Sequence, residues 1–328
     1  MAALVETMMS ANEVVPWHKQ GEVLTGYPTI EEATEKSGLT WEVVKYPLFA
    51  NVDGADEFIG VPQFALMRDT DKMFYGTCSD DYKIYQNHEA FEWCRPLVES
   101  GEWKLETAGA LKRGQTCWIL LNQGTVSVLP KDNLKQYLLL TWAHDGRTAV
   151  RLGLTSVRVV CNNTLTQALN MEGNLLHKFA HNSALSYRLN DIQKLYSDTA
   201  KAFADQVTAF GVLADVELKK GDKDGYVDMI VNEAHRIVPE DNLEDMTERK
   251  KKSIDRTRDE INWFIDNGLG QQDLKLQNNL WGIFNGVQAW TEKARSGRRI
   301  SDRGYDILFG RGKQIADYAY ELATTYAG

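Results

Sequence analysis

The chain is short of the residues that mark metal proteins and many small enzymes. It holds four cysteines in 328 residues, Cys78, Cys94, Cys117 and Cys161. No two make a CxxC pair, which excludes zinc-ribbon spacing. All four have apolar or aromatic residues close by in sequence, which predicts free thiols in a reducing, cytoplasmic core. The six histidines make no HExxH pattern. His177 and His181 stand four apart, a spacing that places two ligands on one helix face, but no third ligand stands near them and a solvated face is the plainer expectation. GRGK at Gly310–Lys313 lacks the first glycine and the hydroxyl residue of a P-loop. Asp53 with Asp56, and Ser79–Asp81, lack calcium-loop spacing. No metal or cofactor is expected. No apolar run approaches the ~20 residues that span a bilayer, and MAALVETMMSANEVVPWHKQG has neither the basic nor the apolar region of a signal peptide. The expectation is a cytoplasmic protein without membrane contact. Basic excess is missing too: the formal net charge is -9. That argues against a basic coat over the whole surface, though not against a local basic groove, because binding follows the local field.

What is present is an average globular composition, 43% apolar and 25% charged. The length suits two ordinary domains or one large one. The pattern changes near residue 175, which divides the chain into a mixed α/β domain with an antiparallel sheet, 1–175, and a helical domain or extension, 176–328. Phe64–Arg68 and Lys72–Thr77 read as a hairpin turning at Asp69–Asp71. Asn87 reads as the cap of a helix that Pro96 kinks or interrupts. Strands follow at Trp103–Leu111, Gln115–Leu121, Thr125–Leu129, Lys135–Trp142, Thr148–Leu154 and Ser156–Cys161. Lys112–Gly114, Asn122–Gly124 and His144–Arg147 separate them, and Asp145–Gly146 is a hairpin turn. Such short connections favour an antiparallel meander. Asn162 or Asn163 then caps a short helix, TLTQAL. Leu189, Ile192, Tyr196, Thr199, Phe203, Val207 and Phe210 predict one long amphipathic helix. Gly221–Gly225 reads as a break, and further helices are expected over Tyr226–Val238, Leu243–Asn267, a segment around Leu280–Trp290, and Gly312–Thr325. The fold class is α+β: an N-terminal antiparallel meander with flanking helices, then a C-terminal helical part.

Several segments carry a family resemblance. VRVVCNNTLTQAL (Val157–Leu169) is similar to the signature of a phage/plasmid-like family catalogued as a domain of unknown function, number nine hundred and thirty-two. PWHKQG (Pro16–Gly21) resembles its N-terminal element, with Lys19 where glycine is usual. YKIYQNHEAFEW (Tyr82–Trp93), ETAGAL (Glu106–Leu111), YLLLTWAHDGRTAV (Tyr137–Val150) and NLWGIFNGVQAWTEK (Asn279–Lys293) follow in the family's order. The resemblance implies a phage, prophage or plasmid origin and residence in a bacterial host. It implies no settled activity; members look like accessory replication, recombination or counter-defence factors.

The candidate sites are mostly basic. Lys112 and Arg113 sit in a turn, and Arg147, Arg151 and Arg158 follow through the last part of the meander, where alternate positions share a face. Arg298, Arg299 and Arg303, with Arg295, Arg311 and Lys313, form a second cluster interleaved with Tyr305 and Phe309, a pattern that suits a single strand with stacked bases. Arg249–Lys252 is balanced by acids and reads as a solvated helix. Trp142 with His144, and Trp17 with His18, can stack on unpaired bases, although a tryptophan is more often core. Asn162 and Asn163, opening a helix after Arg158, can meet a phosphate, or simply cap a corner. The leading expectation is a non-enzymatic, oligomeric protein that binds and anneals single-stranded DNA. A meander followed by a helix is also the layout of Rad52-like annealing proteins, an analogy of layout only. Two rivals stand beside it: a counter-defence factor that binds a host protein, and an enzyme on nucleotides or nucleic acid centred on His144, Asp145, Cys161 and Asn162.

Overall fold

The computed structural model describes residues 5–11, 21–51, 58–158, 163–165, 176–195, 199–293 and 310–328. The first part is built of strands β1 (Val5–Ser10), β2 (Glu22–Val23), β3 (Val43–Asn51), β4 (Phe58–Arg68), β5 (Phe74–Cys78), β6 (Lys104–Leu111), β7 (Thr116–Leu129), β8 (Asp132–Ala143), β9 (Val150–Arg158), β10 (Asn163–Leu165) and β11 (Leu176–Phe179). Helices α1 (Ile30–Lys36) and α2 (Asn87–Glu99) lie among them, and α3 (Leu185–Leu195) through α8 come after. The main sheet has the order β10-β9-β8-β7-β6-β1-β2, with β11 also paired to β9; β3, β4 and β5 make a second, antiparallel sheet. The class is α+β, as the hydrophobic patterning predicts.

The strands are longer and fewer than the turn signals suggest. β7 runs through Asn122–Gly124 without turning, because Gly124 takes a φ of +142° that an L side chain resists. Where two strands are expected, Thr148–Leu154 and Ser156–Cys161, the single strand β9 runs unbroken over Val150–Arg158; 159–161 lie outside the described residues. After Asn163 the described residues form a strand, not the expected helix: β10 pairs with β9 through Asn163↔Arg158 and Leu165↔Ser156. The remainder of TLTQAL lies outside the described residues. The Phe64–Arg68 hairpin is present, with β4 and β5 paired through Phe64↔Cys78.

The described residues cluster into two compact units, 1–124 with 137–154 and 174–199, and 125–136 with 155–173 and 200–328. The sequence reading cuts the chain once, after residue 175. The long strands β7, β8 and β9 instead contribute one stretch to each unit, so both are assembled from separated segments.

In the first unit the core holds Met9, Leu39, Leu66, Phe91, Trp103 and Trp142, all nearly inaccessible. Cys78, Cys94 and Cys117 are buried free thiols. α2 begins at Asn87, where the Gln86 N–H is received by the Glu89 carboxylate at 2.7 Å, one half of a capping box. Asn87 is not the cap. Pro96 stays inside the helix, close enough to its end that α2 runs on to Glu99.

In the second unit α4 (Thr199–Ala214), α5 (Lys220–His235), a 3-10 turn at Leu243–Asp245, α6 (Glu248–Asn267), α7 (Leu280–Lys293) and α8 (Arg311–Ala327) pack together. Of the single helix expected over Leu189–Phe210, the described residues give α3, to Leu195, and α4, from Thr199; 196–198 lie outside the described residues. The break expected at Gly221–Gly225 lies inside α5. The chain turns earlier, at Asp215–Lys219, where Leu218 N–H donates to Asn278 O and Leu280 N–H to Val216 O, both 2.8 Å. α7 is buried all round, the mark of a central helix. Phe210 packs, tilted, on Trp281 at 4.7 Å, Tyr320 packs on Phe284 at 5.7 Å, and the Trp281 indole donates to buried Asp132 at 2.9 Å.

Candidate nucleic-acid interface

Two tight turns of the first unit are held against β5. The first, between β6 and β7, has three consecutive residues in the left-handed region: Lys112 at +53°, Arg113 at +58° and Gly114 at +88°. Two of the three are non-glycine residues, so the surroundings must hold the turn. They do: the Arg113 carbonyl accepts from the Tyr75 hydroxyl at 3.0 Å and from Arg68 Nη2 at 3.3 Å. The second turn, between β8 and β9, is tied to the first by His144 N–H donating to Gln115 O at 2.9 Å. Asp145 organises it, its Oδ1 accepting the N–H groups of Arg147 and Thr148 at 2.9 and 2.8 Å and its Oδ2 the Thr148 hydroxyl at 2.7 Å. Gly146, at +75°, passes so close to the Thr77 carbonyl that no β-carbon fits.

Arg113 and Arg147 are exposed on these turns, and Lys112 is half-buried beside Arg113. Behind them lies Arg68, only 7% exposed. It donates to Glu6 at 2.7 Å and Asp71 at 3.0 Å, and its guanidinium stands over the rings of Trp41 (5.0 Å) and Tyr75 (5.9 Å). Val5, Glu6, Arg68, Asp71, Met73 and Arg113 line a shallow cavity of about 230 Å³. Glu6 and Asp71 are engaged by Arg68, which offsets part of their charge, and Asp145 is bound, still charged, by its own turn. Burial alone would raise the Asp145 carboxyl, but the N–H groups of Thr148 and Arg147 hold it below the usual range.

Trp142 and His144 need correction. Each is 1% exposed, so neither ring can reach a base. They are partners of Asn87, whose amide Nδ2 donates to Trp41 O at 2.9 Å. That orientation aims Oδ1 at Trp142 Nε1 (3.0 Å) and His144 Nε2 (3.1 Å). An indole N–H only donates, so Oδ1 is the acceptor for both and His144 carries its proton on Nε2. The other ring nitrogen, Nδ1, is buried without a hydrogen-bond partner. Burial pushes the His144 pKa down to about 3. Buried and held neutral, it offers no exposed base to the enzyme reading centred on it.

Of the other expected residues, Arg151 is half-buried in β9 opposite Lys178. Arg158 stands at the end of β9 and Asn163 opposite it at the start of β10, both in the second unit. Arg298, Arg299, Arg303, Asn162, Cys161, Trp17 and His18 lie outside the described residues. His177 and His181 do not share a helix: His177 is in β11 and His181 follows it. The roles of Arg68 and Asn87 are not legible in the sequence. The signal for Arg68 was weak, a charged residue ending a strand beside a turn. Asn87 stands where helix caps stand, and its local sequence points to that role alone.

No helix among the described residues is long and apolar enough to cross a membrane. No curated protein and no solved structure matches the chain. The profile of one family, described as Domain of unknown function (DUF932), matches residues 75–308, a stretch that takes in α2, both turns, the main sheet from β6 onward and α7. With most of its length covered, and with the family's segments in order along it, this chain belongs to that family.

Proposed function

We infer that the chain binds single-stranded DNA and promotes its annealing, as a phage- or plasmid-encoded factor in recombination or replication. One observation carries the reading. Two basic turns, Lys112–Arg113 and Arg147, are tied side by side by the hydrogen bond from His144 N–H to Gln115 O, and Arg68 and Tyr75 hold the first of them through the Arg113 carbonyl. Fixed cations of this kind suit phosphate contacts, which dominate nucleic-acid affinity and make it salt-dependent. Bases then stack on surfaces other than Trp142 and His144.

The test is fluorescence anisotropy with a labelled oligonucleotide at two salt concentrations. Arg113→Glu with Arg147→Glu should weaken binding at least tenfold and flatten the salt slope by about 2. Unchanged affinity and slope would remove this surface from the reading, and absence of binding at low salt would remove the reading itself.

A second reading is a factor that binds a host protein or further copies of this chain. The β3–β4 hairpin favours it. Phe49, Phe58, Ile59 and Val61 are all exposed there, Phe58 by 64%, and large exposed apolar patches mark interaction sites. The register puts Phe49 and Phe58 on one face and Ile59 and Val61 on the other.

A further inference from the structure

His181 joins three separate stretches of the first unit. It follows β11; Lys83 lies between β5 and α2; Thr148 lies in the β8–β9 turn that displays Arg147. The ring is 9% exposed and stacks flat on Tyr82 at 4.6 Å. Its Nδ1 stands 2.9 Å from Lys83 O and its Nε2 3.1 Å from Thr148 O. The Lys83 N–H in turn donates to His181 O at 3.0 Å.

Both ring nitrogens therefore face carbonyl oxygens, and a carbonyl oxygen only accepts. A neutral imidazole has one N–H. It satisfies one carbonyl and sets a lone pair against the other. The imidazolium has two N–H groups and satisfies both, with charge-assisted bonds. We propose that His181 is a proton-operated latch: protonation adds the second hydrogen bond and clamps the β8–β9 turn to the linker that precedes α2.

The groups around it fit this use. Asp145, in the same turn, favours the charged ring; buried His144 is a neutral neighbour; the Tyr82 phenol and Cys78 thiol are pushed up by burial and stay uncharged. Burial holds the ring below the usual histidine value, so at neutral pH the latch is open. Asp145 stays ionised well below neutrality and keeps its own grip on Thr148, so the histidine alone changes state in mild acid.

Imidazole 15N chemical shifts and amide exchange of Arg147 and Thr148, measured between pH 7 and 5, test the latch. His181 should pass from one protonated nitrogen to two, and protection of the two amides, corrected for intrinsic exchange, should rise about tenfold. His181→Gln, with one donor and one acceptor, should show the same protection at both pH values. A ring that stays neutral, or equal pH dependence in wild type and variant, would overturn the proposal. If the variant does not fold, the wild-type nitrogen shifts decide alone. The functional consequence rests on the DNA-binding reading: affinity should rise in acid in wild type and not in His181→Gln. A working latch without that rise leaves the latch standing and counts against Arg147 as a DNA contact.

Discussion

Asn87 shows how one side chain can serve a purpose that local sequence does not reveal. Its amide satisfies the Trp41 carbonyl, the Trp142 indole and the His144 ring together, all within the core. Asn87→Ala would leave these three groups buried without that partner, each at a cost of roughly 1–3 kcal/mol. A loss of at least ~3 kcal/mol is expected in urea denaturation; a loss under ~1 kcal/mol would show that water replaces the amide. His144 sets a pH dependence of the same origin. Its folded pKa, about 3, lies below its unfolded value near 6.5. The unfolded chain therefore binds a proton that the folded chain refuses between those values. This contribution is complete above pH ~6.5 and is lost as pH falls toward 3, by at most ~1.4 kcal/mol per pH unit. The depressed pKa values of His177 and His235 act with the same sign; so does that of His181 in global unfolding, because burial outweighs the Lys83 and Thr148 carbonyls, which by themselves favour the charged ring and its local contact with the turn. Stability should fall steadily from pH 7 to 4.5 in denaturant titrations, and a flat profile would contradict a buried neutral ring.

At the scale of elements, two helical glycines separate propensity from packing. Glycine inside a helix costs about 1 kcal/mol against alanine. At Gly221 in α5 a β-carbon would meet nothing within 4 Å, so Gly221→Ala should stabilise the chain by ~0.5–1 kcal/mol. At Gly286 in α7 it would lie 2.5 Å from Ile265 Cγ1 and 2.7 Å from Ile265 Cα in α6. Part of that obstacle is backbone, which yields little, and overpacking costs ~1–3 kcal/mol. Gly286→Ala should therefore destabilise despite its better propensity. Thermal melts of both variants check the pair; a shift of the same sign in both would show that α6 and α7 approach less closely than the structure has them. The same contrast explains what was legible. α6 and α8 were visible because apolar residues recur on one face. The break before α5 was not visible, because a tertiary bridge to the start of α7 makes it.

At the scale of the whole molecule, the β3–β4 hairpin of the first unit offers an apolar surface to partners, exposed from Phe58 to Gln63. Side chains already in water contribute little to folding, so Phe49→Ser with Phe58→Ser should change stability by no more than ~0.5 kcal/mol. The same variant should reduce self-association in light scattering, or lose a host complex that survives nuclease treatment. A variant that unfolds would mean that the hairpin is part of the core after all.

The sequence by itself determined the α+β class, the meander, most helices and the family, because hydrophobic period, turn residues and ordered motifs are properties of neighbours along the chain. It also marked Lys112, Arg113 and Arg147 as turn cations. Tertiary structure alone decided which of the candidate residues reach solvent. Trp142 and His144 carry polar atoms that Asn87 satisfies from 55 and 57 residues away, and only that distant partner makes their burial tolerable. It also decided that the turns carrying Arg113 and Arg147 are tied together, through the hydrogen bond from His144 N–H to Gln115 O. Burial and convergence depend on residues far away in sequence, and no local pattern encodes them.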